Sequence, residues 1–341
     1  MRVLVALGGN AMTGPDGGAG PQAQRDAIGA AMEHVADLVA AGHDVVLTHG
    51  NGPQVGNILV KNEVAAHVVP PVPLDWCGAQ TQGTIGFTIL NTLEAALARR
   101  GVDRPVAALV TRTLVDPADP GFTTPTKPVG RFLPYAEAAL LIEHGERWED
   151  RGEKGWRRMV ASPEPREILE TATLHTLVAA GYVVVAAGGG GIPVVRDGTG
   201  ELHGVEAVID KDLTAAVLAR SLDSDVLVIA TDVQNAILGY GTPDARPVGR
   251  VGLAEMEAIA AEGHFASGSM GPKVDAALRF VREGGTRSVI TALESISEAV
   301  DGAVGTVIER DTPAGHDART TRTATRTATR ATTQAATQKE G

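Results

Sequence analysis

Val3-Leu4-Val5-Ala6-Leu7-Gly8-Gly9-Asn10-Ala11 runs five apolar residues without interruption into two glycines and an asparagine. An apolar run with no polar alternation is what a strand buried on both faces of a parallel sheet requires. Two glycines at its carboxyl end leave backbone N–H groups with no side chain in front of them, so the turn is a candidate anion cradle. In open α/β sheets ligands sit outside the carboxyl ends of the strands, and a phosphate would suit that position. The spacing matches neither G-x-G-x-x-G nor G-x-x-x-x-G-K-[ST], and a plain strand-to-loop turn is the competing use of these residues.

The same pattern repeats outward from this strand. A helical periodicity from Pro21 to Ala41, with Ile28, Met32, Val35, Leu38 and Val39 on one face, leads to a strand at Asp44–Thr48. That strand ends in His49-Gly50-Asn51-Gly52-Pro53, which serves equally as an ordinary helix start with Pro53 in the first turn or as a second ligand turn on the same rim. A long helix opens at Leu74 and stops near Gly101, with Cys77 as a small buried packing residue, and Val106–Val110 reads as the third strand. Regular alternation resumes with a helix from Glu167 to Ala180 and the strand Tyr182–Ala187, which runs into Gly188-Gly189-Gly190-Gly191. Four successive glycines are entropically costly unless backbone must approach a ligand or another backbone closely. A hairpin at Val194–Gly204, a helix from Leu213, a strand at Val226–Ala230, helices at Leu253–Glu262 and after Pro272, and strands at Ser288–Thr291 and Gly305–Ile308 complete the chain.

Such alternation predicts one α/β domain over residues 1–311 built on a parallel sheet. Residues 116–165 break it with seven prolines and two of the three tryptophans. A segment of that length is too long for a simple connection and is expected to form a small subdomain or lid, with a hairpin turning near Glu149–Gly155. Residues 312–341 are dominated by Thr, Ala, Arg and Gln, cannot bury a face, and are expected to be disordered. Their arginines could touch a polyanion, but a solvated tail is the reading preferred here.

Composition narrows the function. With 41 acidic and 30 basic residues the 341-residue chain carries a net charge of −11, which argues against a broad nucleic-acid surface and for small partners. Cys77 is the single cysteine, so no intramolecular disulfide can form and a reducing cytoplasm is expected. The start, Met1-Arg2-Val3, leads into a strand too short for a signal peptide, and no apolar stretch approaches the ~20 residues that span a bilayer. Aromatics make up only 3% of the residues, leaving Ala, Val, Leu and Ile to build the core. Zinc-like clusters and a G-x-S-x-G elbow are both missing from the sequence.

Two lysines stand where they oppose stability. In Ile209-Asp210-Lys211-Asp212-Leu213 and Gly271-Pro272-Lys273-Val274 a cation occupies the first turn of a helix, against the helix dipole, at a cost of about 0.3–1 kcal/mol when exposed. An anion would offset that cost, and free N–H groups, dipole and lysine together describe a phosphate site. A salt bridge to Asp210 or Asp212 is the alternative use of Lys211, and solvation that of Lys273 and of Lys127. Phosphoryl transfer asks the protein mainly for positioning and positive charge, so lysines and glycine turns without a nucleophile fit it.

Together these segments resemble the carbamate kinases of the amino acid kinase family from Val3 to about Glu309. The resemblance rests on Ala6–Ala11, His49–Gly56, Pro125-Thr126-Lys127-Pro128-Val129-Gly130, Gly188–Val194, Ala207–Asp212 and His264–Lys273 in that order, with Pro73–Asp75 and Gln82–Phe87 also in place. It implies a three-layer αβα sandwich around a mainly parallel sheet with a small protruding lid, and a homodimer. It also implies reversible phosphoryl transfer between ATP and carbamate, giving ADP and carbamoyl phosphate, with Mg2+. By the same resemblance Gly8, Gly9 and Asn10 would hold the transferred group, and Gly50 and Asn51 would seat the carbamate end. Lys211 and Lys273 would neutralise phosphate charge, Asp212 would hold the lysines, and Lys127 would reach in from the lid. The glycine run, with Gly189 and Gly190, would let the backbone pass close to that centre. Thr231, Asp232, Val233, Tyr240, Gly268, Met270 and Gly271 would join the lysines around the nucleotide. The chain departs from the family near the adenine, where Ile237 and Gly239 replace a tyrosine and an asparagine. A related kinase acting on another small acid, and a nucleotide-binding regulator without catalysis, are the alternatives.

Overall fold

The computed structural model describes residues 1–13, 20–265 and 269–311. Its centre is an eight-stranded sheet in the order Arg250–Gly252, Thr306–Glu309, Arg287–Ala292, Val226–Thr231, Arg2–Leu7, Asp44–His49, Val183–Val185 and Val106–Ala108. Every neighbouring pair is parallel except Arg287–Ala292 with Thr306–Glu309, so the sheet is mainly parallel as the alternation predicts.

Strand Arg2–Leu7 shows why the apolar run is unbroken. Val3, Val5 and Leu7 enter a core shared with the helices Pro21–Ala40, Leu74–Arg99 and Ile296–Val300, whereas Leu4 and Ala6 enter the opposite core. That second core is closed by Thr171–Ala179, Lys211–Ser221, Leu253–Ala261 and Met270–Arg282. Successive side chains of a strand point to opposite faces, so a strand covered twice must be apolar at every position. The result is three layers, αβα.

Register then builds one rim. Leu7 lies opposite His49 on one side and Ala230 on the other, so the three central strands stop together. The Gly50 N–H donates to the Leu7 carbonyl at 3.0 Å, which joins the first two glycine turns at the carboxyl edge.

Between residues 116 and 165, Lys127–Leu133, Trp156–Val160 and Arg147–Asp150 form an antiparallel three-stranded sheet, with the helix Tyr135–Glu143 packed on it. Its own small core is Leu133, Ala138 and Trp148, and the Tyr135 and Trp156 rings lie 5.1 Å apart. Val129 and Val160 pack at its base against Val55, Leu59, Leu74 and Cys77. Cys77 is fully buried there, a packing residue.

Some boundaries differ from the sequence reading. Glu167–Ile168 is a strand, not a helix start, and the helix begins at Thr171. Pairing of Thr113 with Ile168 and burial of the Ile168 side chain override local helical propensity. The strand expected at Val106–Val110 pairs only through Ala108, and Val110 is exposed.

Candidate active site

The rim gathers residues from several segments of the chain. Gly9 opens a single turn of 3-10 helix, Gly9–Met12, which follows strand Arg2–Leu7. A methyl group on Gly50 would lie 3.6 Å from the Gly9 nitrogen and 3.5 Å from the Lys211 side chain, so these three surround one small space. Gly8 abuts the next strand, where a β-carbon would meet the Ala230 carbonyl at 2.9 Å and Thr231 Cα at 3.6 Å. Asn10 lies in the Gly9–Met12 turn.

Lys211 is the first residue of the helix Lys211–Ser221, capped by Asp210, whose Oδ1 accepts from the Asp212 and Leu213 N–H groups. Lys273 is the fourth residue of the helix Met270–Arg282, which begins two residues before Pro272. Both ammonium groups converge on Asp212: Lys211 Nζ lies 2.5 Å from its Oδ1 and Lys273 Nζ 2.9 Å from its Oδ2. All three side chains are at least 87% buried. Burial raises the Asp212 carboxyl, but the two lysines outweigh it and hold the group well below the usual carboxylate range. Burial pushes the Lys211 ammonium down, Asp212 opposes that, and the neighbouring Lys273 charge adds to it.

Lys127, at the start of the three-stranded sheet, reaches Asp210 Oδ2 at 2.7 Å. Three lysines against Asp210 and Asp212 leave a surplus positive charge beside the Gly9 and Gly50 backbone. A mostly buried surplus cation beside open glycine backbone favours an anion, and a phosphate above all.

The glycine run closes the other side. Ala187 has φ 51°, and Gly189, Gly190 and Gly191 all have positive φ. A side chain on Gly188 would overlap the His49 ring, one on Gly189 the Asn51 amide, and one on Gly190 the Ile209 carbonyl. Only glycine combines that backbone with that proximity. Asn51, nearly buried, donates to Thr81 Oγ1 at 2.9 Å. Beneath the run lies a network that sequence reasoning missed. Gln82 donates to the Thr111 and Gly188 carbonyls, Thr48 to the Ala187 carbonyl, and Thr113 and Thr214 both to the Gly190 carbonyl. His49 was missed as well: burial holds its imidazole neutral, with a pKa of about 4. The available signal was its place at the end of an apolar strand, directly before Gly50.

Across the rim Thr231 ends the strand Val226–Thr231, its hydroxyl 3.0 Å from Asp232 Oδ1, and Val233 follows. Gly271, in the first turn of the Lys273 helix, passes the Phe265 carbonyl so closely that a β-carbon would sit 2.7 Å from it; Met270 begins that helix. Tyr240 stands 82% exposed beyond a two-stranded ribbon, Ile237–Leu238 with Arg246–Pro247. Gly268 and the segment 312–341 lie outside the described residues.

Glycine corners and buried lysines at the carboxyl edge of a parallel sheet define a phosphate-handling α/β protein. The chain belongs to the amino acid kinase family, whose sequence profile matches residues 1–292. It is 44% identical over 316 residues to a carbamate kinase of Thermococcus kodakarensis, covering 91% of this chain and 99% of that protein. The carbamate kinase-like protein YqeA of Escherichia coli is 43% identical, with 90% of this chain and 98% of that protein covered. A solved carbamate kinase from Giardia lamblia bound to AMP-PNP superposes with a TM-score of 0.86 at 42% identity, covering 91% and 98% of the two chains. No helix among the described residues is long and apolar enough to cross a membrane.

Proposed function

We propose that the chain is a carbamate kinase, transferring a phosphoryl group reversibly between ATP and carbamate to give ADP and carbamoyl phosphate. The observation that carries this reading is the convergence of Lys211 and Lys273 on Asp212 beside the Gly9 and Gly50 backbone. In-line transfer leaves charge spread over the migrating group, and two fixed cations with backbone donors stabilise it without a covalent intermediate.

In this reading Gly8, Gly9 and Asn10 hold the migrating phosphoryl, and Gly50, Asn51, Gly189 and Gly190 seat the carbamate end. Thr231, Asp232, Val233, Met270, Gly271 and Lys273 line the nucleotide side, together with Tyr240. The protruding sheet of residues 116–165 acts as the lid that brings Lys127 over the acceptor. Asp212 is committed to two lysines, and Asp210 to a lysine and a helix cap. Mg2+ is therefore assigned to the nucleotide phosphates and arrives as part of that substrate. A cytoplasmic homodimer completes the proposal.

The test is ATP formation from ADP, Mg2+ and carbamoyl phosphate by the purified chain. Lys211→Ala and Lys273→Ala should each lower turnover by about 10²–10³-fold, the range for loss of a charge-stabilising group; parent-level turnover in both would refute the assignment. A panel of small carboxylic acids with ATP separates carbamate from other acceptors of the same fold.

A further inference from the structure

Asp210 is given no contact with substrate above, yet it touches both the helix carrying Lys211 and the sheet that bears Lys127. Its Oδ1 caps the helix Lys211–Ser221 by accepting from the Asp212 and Leu213 N–H groups. Its Oδ2 accepts from Lys127 Nζ at 2.7 Å, across 83 residues of sequence. Its backbone carbonyl accepts from the Thr214 hydroxyl at 2.9 Å, so the residue is held at both ends. The Asp210 side chain is 16% exposed and that of Lys127 31%, so the pair borders open space.

We propose that Asp210 is a positioning residue for the acceptor end of the site, holding the Lys127 ammonium at the entrance of the Lys211–Ser221 helix so that it faces an incoming carbamoyl phosphate. This rests on the carbamate kinase reading. A lysine side chain has four flexible bonds and a large rotamer entropy, and Lys127 enters from a sheet whose apolar contacts, Arg131–Glu63 ion pair and Gly130–Gly56 approach to the body fix its backbone but not the Lys127 ammonium. Without a fixed acceptor its ammonium would sample a wide volume. An ammonium has three donors, and Asp210 takes one, so two remain for phosphate oxygens. The carboxylate can therefore orient the lysine without having to release it when substrate arrives.

The geometry also supplies a clean variant. Asparagine is as good a helix N-cap as aspartate, so Asp210→Asn keeps the cap and removes the charge that holds Lys127. Steady-state ATP production is compared in the parent, Asp210→Asn, Lys127→Ala and the double variant, alongside calorimetric binding of carbamoyl phosphate alone. Asp210→Asn should raise KM for carbamoyl phosphate about tenfold, with KM for ADP within about twofold and the unfolding midpoint unchanged. In the Lys127→Ala background the same substitution should cost less than about twofold, because residues acting through one another are not additive. A structural role for Asp210 alone would give equal penalties in both backgrounds and overturn the proposal. An unchanged or lowered KM for carbamoyl phosphate in Asp210→Asn would overturn it too. If the parent makes no ATP, the functional reading falls, and the same four-variant comparison in binding still decides Asp210. A parent that neither turns over nor binds carbamoyl phosphate overturns both.

Discussion

At the scale of single residues the site depends on charges kept where water would otherwise neutralise them. Asp212 accepts from two lysines, and its removal would leave two mostly buried cations facing each other, a loss that costs about 3–5 kcal/mol in comparable buried pairs. His49 is arranged in the opposite sense, because burial keeps it uncharged with a pKa of about 4 against an ordinary 6.5. Between those values the unfolded chain binds a proton at this position and the folded chain does not. Stability from this residue is thus complete above pH 6.5 and is lost as pH falls toward 4. A shift of that size corresponds to about 3 kcal/mol across the window. Unfolding free energies at pH 7 and pH 4.5, from denaturant titration, should differ less in His49→Gln than in the parent, by about 2–3 kcal/mol. An equal pH slope in both would mean that the imidazole is not the group responsible. Sequence reasoning found the two helix-entrance lysines because a cation there is locally unfavourable. It could not find the Lys127–Asp210 pair, since a separation of 83 positions leaves no local sign of it.

At the scale of elements the glycine corners divide into two kinds, and one substitution separates them. Gly189 has φ 67°, and a side chain on it would overlap the Asn51 amide, so Gly189→Ala should destabilise the fold by about 1–3 kcal/mol through backbone strain alone. Gly9 has nothing within 4 Å of the place a β-carbon would take. Gly9→Ala should therefore keep the parent unfolding midpoint while cutting turnover about 10²-fold or more, because the methyl group would occupy the space proposed for the migrating phosphoryl. A thermal melt and an ATP assay on the two variants check both halves, and a parent-like rate in Gly9→Ala would remove this turn from the site. The central strands were legible because burial on two faces demands unbroken apolar runs, and the glycine run because its entropy cost needs a reason. The side sheet of Leu202–Gly204, Ile192–Arg196, Arg112–Leu114 and Glu167–Ile168 was only partly legible. Its strands of two to five residues are too short to display a period, and the hairpin at its edge was the part with a turn signal.

At the scale of the whole molecule, the protruding sheet has to be held against the body for Lys127 to reach the rim. Its base is held by an apolar cluster, by the Arg131–Glu63 ion pair at 3.4 Å and by a close backbone approach, where a β-carbon on Gly56 would lie 3.2 Å from Gly130 Cα. Gly56 belongs to the helix Gly52–Ala65, which starts at the second glycine turn, so this contact links that turn to the sheet bearing Lys127. Gly56→Val would drive a branched side chain against the Gly130 backbone, which cannot rotate away as a side chain could. Overpacking of this kind costs about 1–3 kcal/mol, and here the strain is concentrated at the junction and away from either core. The expected result is a KM for carbamoyl phosphate raised about tenfold, with KM for ADP unchanged, since the side proposed for the nucleotide lies across the rim on the Val226–Thr231 strand and the Lys273 helix. If both KM values rise together, the junction supports the whole site. If neither moves, the position of the protruding sheet does not govern acceptor binding, and the role proposed for it as a lid falls.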